Sequence, residues 1–260
     1  MGPQRRGRVG APQQSRESSP KRHLLILDAV QRAPRDGRAC EKHRPNRKTV
    51  GQGSLRTAQP EEQPVLTRGV TLVLIGPPGA GKSTVGPLVA SALGVAFVDA
   101  DEASLPYYEE AGWPLTRFAD LIEVAGYERA HLAWEEALAH AVPRLLHEHR
   151  HAVIAFGAGH THVTTPAGRA IIERTLQDHT VVLLRPAHDP AASVAELRWR
   201  CVAGKGRDWI RDGVDWLDRW SRDGLDDHLA TKTVYTMGRS PTQVASDVQL
   251  AMTSAIAKPF

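Results

Sequence analysis

Only two cysteines occur, Cys40 and Cys201, and they stand far apart. That excludes a disulfide-stapled fold and leaves no cysteine pair at metal-ligand spacing. Aromatic residues are scarce at 5%, so Val, Leu, Ile and Ala must fill a core, for which 41% hydrophobic content suffices. No apolar run approaches the ~20 residues of a membrane span. A secretory signal is lacking too, because His23-Leu24-Leu25-Ile26-Leu27 is short and sits among charges. Arg6 spoils the myristoylation pattern after Met1-Gly2. These absences point to a cytoplasmic chain of 260 residues, either one large domain or one domain with appendages.

The net charge of +4 hides an asymmetry: residues 1–68 hold 15 Lys and Arg against 6 Asp and Glu, leaving 18 against 23 in residues 69–260. The basic part is rich in Arg, Pro, Gln, Gly and Ser and has little sustained periodicity. Its composition predicts a disordered tail over 1–68, since it buries too little apolar surface to offset ordering entropy. A plain solvated tail, a basic arm for nucleic acid or an acidic surface, and an upstream extension of a reading frame that starts later all fit it.

The acidic part, 69–260, is organised around Gly76-Pro77-Pro78-Gly79-Ala80-Gly81-Lys82-Ser83-Thr84, which fits G-x-x-x-x-G-K-[ST]. It follows the apolar run Val70–Ile75 and precedes a helical pattern from Lys82 to Leu93, the context a phosphate-binding loop requires. Glycines let successive N–H groups point at phosphate oxygens, and the helix adds the positive end of its dipole. Lys82 reaches the outer phosphates of a nucleoside triphosphate, and the Ser83 hydroxyl serves Mg²⁺.

Val95–Val98 reads as a second strand ending in Asp99-Ala100-Asp101. In an open parallel sheet, ligands gather at the carboxyl ends of strands, so both carboxylates face the crevice of the loop. One can hold Mg²⁺; the other can orient or deprotonate a hydroxyl. Read as an extended segment, the alternate spacing puts both on one side; read as a helix start, it makes them caps. Ala152–Phe156, Thr180–Leu184 and Thr233–Tyr235 read as further strands, separated by helical stretches such as Tyr127–Arg150, Ala167–Leu176 and Asp189–Val202. That rhythm predicts an α/β fold with a parallel sheet.

On these motifs the chain resembles the shikimate kinase family of P-loop kinases. The likeness rests on GPPGAGKSTVG followed by LGVAFVDAD, then Gly112-Trp113-Pro114-Leu115, Ala155-Phe156-Gly157-Ala158-Gly159 and Thr236-Met237-Gly238-Arg239-Ser240-Pro241. It implies a five-stranded parallel sheet flanked by helices, and an ATP-dependent phosphotransferase acting on a hydroxyl of a small metabolite. By position Asp101 matches the family's substrate-hydroxyl carboxylate and Asp99 its Mg²⁺-associated one. Gly157 and Gly159 match the glycines that approach substrate, and Arg239 and Pro241 lie near adenine. Where the family has an arginine for the substrate carboxylate, counting from Gly126 reaches His131, with Arg129 two residues away on another helix face. Both enter as substrate-binding candidates, and a polyol, sugar or aminocyclitol-like acceptor stands beside shikimate itself.

Between residues 203 and 227 the sequence changes character, with Gly204-Lys205-Gly206-Arg207 leading into Trp209, Arg211, Trp216, Arg219 and Trp220. This is the place for a lid whose cations cover the phosphates, with Arg207 the nominal catalytic choice, or for a surface loop whose tryptophans pack on the core. Trp134 reads as packing, His140, His147, His149 and His151 as a solvated helix end, and His160-Thr161-His162 as residues near the acceptor. Alternatives to the small-molecule kinase are a nucleotide or polynucleotide kinase and a non-catalytic nucleotide-gated regulator. The last lacks a guanine-reading Asn-Lys-x-Asp. Nothing here speaks to oligomeric state.

Overall fold

The computed structural model describes residues 71–256. The expectations placed on 1–68 lie outside them.

Four-residue strand β1 (Leu72–Ile75) is fully buried and runs into the loop, after which helix α1 (Lys82–Leu93) begins. Pro87 falls in its second turn, where it removes the bond an N–H would give the Ser83 carbonyl. Gly94, in the left-handed region, ends the helix by donating to the last carbonyls. Strand β2 (Ala96–Asp99) leads directly into the short helices α2 (Ala100–Ala103) and α3 (Leu105–Glu110). Helices α4 (Leu115–Ala125) and α5 (Tyr127–Glu148) follow, then β3 (Ala152–Ala155). A single 3₁₀ turn (Ala158–His160) precedes α6 (Pro166–Leu176), β4 (Thr180–Arg185) and α7 (Pro190–Lys205). The hairpin β5 (Ile210–Arg211) and β6 (Val214–Asp215), helices α8 (Trp216–Arg222) and α9 (Leu225–Leu229), strand β7 (Lys232–Tyr235) and helix α10 (Pro241–Ile256) complete the order.

Strands β2-β3-β1-β4-β7 form a five-stranded sheet in that order, every pair parallel. Period-two alternation splits its side chains between two cores. Val73, Ile75, Ile154, Val181 and Leu183 pack beneath α3 to α6. Leu72, Leu74, Val153, Val182 and Leu184 pack beneath α1, α7 and α10. Burial on both faces explains the continuous apolar runs of the central strands. Because the order reverses at β1, the loop after it opens into a crevice at the carboxyl ends of the strands.

Candidate functional site

One cavity of about 810 Å³ opens at those carboxyl ends. The phosphate loop forms its floor, with Pro78 to Thr84 lining it while Gly76 and Pro77 lie buried behind. Gly76 must be glycine: its φ is 132°, and a Cβ there would stand 2.4 Å from the Leu184 carbonyl oxygen. The Lys82 ammonium donates to the carbonyl oxygens of Gly76 and, at 3.1 Å, Pro77. The cation is thereby held inside the loop it serves.

Asp99 is the last residue of β2 and the N-cap of α2, its Oδ1 accepting from the Asp101 N–H at 3.1 Å. The extended reading therefore stops at Asp99; Asp101 already sits in the first helical turn. Capping and lining the crevice prove compatible, and both carboxylates face the cavity. Ser83 Oγ donates to Asp99 Oδ2 at 3.3 Å. Burial, and then the negative charge of Asp101, push the Asp99 carboxyl above its ordinary value. A site that raises a carboxyl in this way, beside a hydroxyl and a second carboxylate, suits a divalent cation.

Gly157 follows β3 and lets Asp101 approach: a Cβ there would lie 1.9 Å from Asp101 Oδ1. Behind Asp101 stands His160, only 2% exposed. Its Nε2 lies 2.9 Å from the Tyr108 hydroxyl and 3.1 Å from Ser104 Oγ, and its Nδ1 lies 3.3 Å from the Gly157 carbonyl oxygen. A carbonyl can only accept, so Nδ1 carries the proton and Nε2, with one lone pair, is the acceptor facing the two hydroxyls. Burial keeps the imidazole pKa low, against the pull of Asp101, whose Oδ1 is 3.8 Å from Nδ1. The ring is neutral, with its N–H end turned toward the carboxylate.

The wall beyond Asp101 is aromatic. Tyr108, Phe118, Tyr127, Trp134, Trp209 and Trp220 line it together with His131. The Phe118 and Trp134 rings meet edge to face, as do those of Tyr108 and Trp134. Burial lowers the His131 pKa to about 4, so it is neutral as well. Gly159 lines the cavity close to His131 and Leu138. Arg129 does not reach it: the residue is exposed on a different side of α5, because two residues turn a helix by about 200°. As a substrate contact it is therefore withdrawn.

The nucleotide side is lined by residues from α7 onward. Arg200 donates to the Gly79 carbonyl and to Thr236, while Arg239, beside Pro241 in the lining, pairs with Asp247. Gly204 and Arg207 also line the cavity. Other side chains of 203–227 pack inward: Trp216 and Trp220 are buried, and Arg211 is bonded to Asp208 and to the Ile210 carbonyl. That segment is fastened through His162, which is buried between the Ala158 carbonyl, Asp223 and Asp226.

Tyr108 and Ser104 were not singled out from sequence, and Trp134 was read only as packing. Their partners lie 16 to 56 positions away in the chain, and no local pattern announces them. The histidines near the end of α5 remain peripheral, with His140 bonded to Glu110 and His147 to Arg150. No cluster of three or more potential metal ligands occurs among the described residues. No helix among them is long and apolar enough to cross a membrane.

Comparison with known proteins agrees with this architecture. The family profile described as "Shikimate kinase" matches residues 78–252. Shikimate kinase of Mycobacterium avium is 39% identical over 112 residues, 43% of this chain and 54% of that protein, so the match spans about half its length. Shikimate kinase of Salinispora arenicola is 32% identical over 183 residues, 68% of this chain and 93% of that protein. The solved structure of shikimate kinase from Acinetobacter baumannii in complex with shikimate aligns with a TM-score of 0.51 at 22% identity, covering 75% of this chain and 97% of the other. The chain therefore belongs to the shikimate kinase family.

Proposed function

We propose that the protein transfers the γ-phosphoryl group of ATP to a hydroxyl of a small acceptor bound against Asp101. The observation that carries this is a shared cavity: the phosphate loop and the Asp101 wall open into the same space, so the two substrates can meet. Gly76 to Thr84 cradle the triphosphate, and Lys82 neutralises charge on its outer oxygens. Arg239 and Pro241 flank the adenine side. Ser83 Oγ and Asp99 would hold Mg²⁺, which takes few protein ligands and supplies charge neutralisation between the phosphates.

Asp101 orients the acceptor O–H and takes its proton as that oxygen bonds to phosphorus and the bond to the bridging oxygen of ADP breaks. The His160 N–H end, fixed by Tyr108 and Ser104, steadies the carboxylate in that position. Gly157 and Gly159 leave the acceptor room to approach. Arg207, lining the cavity after α7, covers the phosphates and helps exclude water.

The test is ADP release by the full chain with Mg²⁺ and ATP, alone and with a panel of shikimate, gluconate, sugars, cyclitols and nucleosides. Acceptor-dependent turnover in the wild type, lost with Lys82→Ala, is the expected result. ATP binding with no acceptor-dependent turnover on any of them would sink the reading.

A further inference from the structure

Resting on the kinase reading, the chemistry of the acceptor wall narrows what can bind there. We infer that the acceptor is an uncharged polyhydroxylated ring, a cyclitol or sugar, that lays a carbon face on the aromatic wall and bonds through hydroxyls to His131 and Trp134, and that it is not a carboxylate.

Three observations converge on this. The first is the distribution of charge. Lys82 belongs to the phosphate loop, and Arg200 is bonded to Gly79 of that loop. Arg239 is paired with Asp247. Arg207 follows α7 with its N–H bonded to the Cys201 carbonyl, and the Cys201 sulfur abuts Gly79. Among the described residues, the aromatic half contributes neither Lys nor Arg to the lining, and its charged side chain is Asp101. Arg211 and Arg219 sit behind Trp209 and Trp216, engaged with Asp208 and Glu128, and neither lines the cavity. A carboxylate here would meet an anion and no cation.

The second observation is the wall itself. Tyr127, Trp134, Trp209 and Trp220 offer ring faces and edges against which the C–H face of a saturated ring packs without any charge. The third is a pair of unsatisfied atoms. His131 Nε2 and Trp134 Nε1 are buried without hydrogen-bond partners, on side chains only 8% and 7% exposed that both line the cavity. Buried polar atoms call for partners, and a hydroxyl can donate to a neutral imidazole nitrogen or accept from an indole N–H. Burial holds His131 neutral, so it serves as a hydrogen-bonding group and not as a counter-ion.

The experiment reads binding and turnover separately on the full chain. Tryptophan fluorescence, to which Trp134, Trp209 and Trp220 of the cavity wall contribute, is titrated with myo-inositol and glucose, with the carboxylates shikimate and quinate, and with glucosamine, in the presence of Mg²⁺ and a non-hydrolysable ATP analogue. ADP release is then measured with the same compounds and ATP. A neutral polyol binding at least tenfold more tightly than either carboxylate or the amine is the expected result. His131→Arg should move that preference at least tenfold toward the carboxylates; His131→Gln, which keeps a neutral hydrogen-bonding group, should leave it in place. Tighter binding of shikimate or quinate to the wild type, tighter binding of glucosamine, or no saturable change with any neutral polyol overturns the inference. Preferred turnover of a carboxylate would do so while leaving the kinase standing. Binding of neutral polyols with no turnover on any compound would instead count against the kinase and leave the pocket chemistry supported.

Discussion

Asp101 and Gly157 are set so close that a methyl group on the glycine would occupy the position of Asp101 Oδ1, 1.9 Å away. The Asp101 side chain is half-exposed and free to swing aside, so Gly157→Ala should leave thermal stability nearly unchanged while displacing the carboxylate. We expect kcat to fall about 10- to 100-fold, the scale of a misplaced catalytic group, with the KM for ATP little altered. Steady-state kinetics beside a melting curve checks this, and wild-type kcat would contradict it. Asp99 carries a different expectation. Its carboxyl titrates above the ordinary range because it is buried and faces Asp101, so its ionisation opposes folding at neutral pH. Asp99→Asn, which can still cap α2, should therefore raise the metal-free Tm and weaken Mn²⁺ binding. In the wild type, Mn²⁺ affinity should begin to fall, as pH is lowered, at a higher pH than an ordinary carboxylate would give. A titration series from pH 7 downward reads it; an Asp99→Asn protein that melts lower and binds Mn²⁺ as before would refute it.

Among the elements, the turn after β3 and helices α8 and α9 are held together by one ionic knot around the buried His162. Thr161 donates to Asp226 Oδ1 at 2.7 Å, and His162 reaches Asp223 at 3.4 Å and the Trp220 carbonyl at 3.3 Å. Burial alone would lower the His162 pKa, but Asp226 and Asp223 outweigh it and raise it to about 9. A raised folded-state value stabilises fully below the unfolded pKa of 6.5 and is lost as pH climbs through about 9. The shift corresponds to about 3 kcal/mol. The Tm should thus drop between pH 6.5 and 9, and His162→Gln should flatten that slope; an unchanged slope in the variant would show the ionic pairing to be idle.

This knot was not readable in the sequence, where Trp209, Trp216 and Trp220 suited a lid as well as a core. The burial of Trp216 and Trp220 depends on Tyr127 and His131, nearly 90 positions earlier. Helix α1, by contrast, begins at Lys82 and ends before Gly94 as its motif and stop signal require. Its buried face was less legible. Leu88 remains 37% exposed, while Gly86 is buried against the Phe97 ring, and a glycine carries no hydrophobic signal.

At the scale of the whole molecule, the alternation of strands and helices with one phosphate loop was enough to anticipate a parallel sheet with its crevice at the strand ends. The parallel crossovers and the order reversal at β1 then bring Gly79, Asp101 and Gly157 together from three strand exits. What the alternation could not supply was the character of the acceptor half, which is assembled from α3, α4, α5 and α8, elements whose docking depends on long-range packing. Ligand binding should couple to the stability of this assembly. Mg²⁺ with ATP at 100 times its Kd should stabilise the wild type by about 2.7 kcal/mol, and the same additions should leave the Tm of Lys82→Ala almost unmoved.

The most direct measurement is the effect of Asp101→Asn on the two substrates separately. The account predicts that the variant keeps the Tm increase given by Mg²⁺ and ATP while acceptor-dependent ADP release falls at least ~10²-fold, the scale of a lost general base. Acceptor-dependent turnover at the wild-type rate in Asp101→Asn would contradict the placement of the reacting hydroxyl at the end of β2.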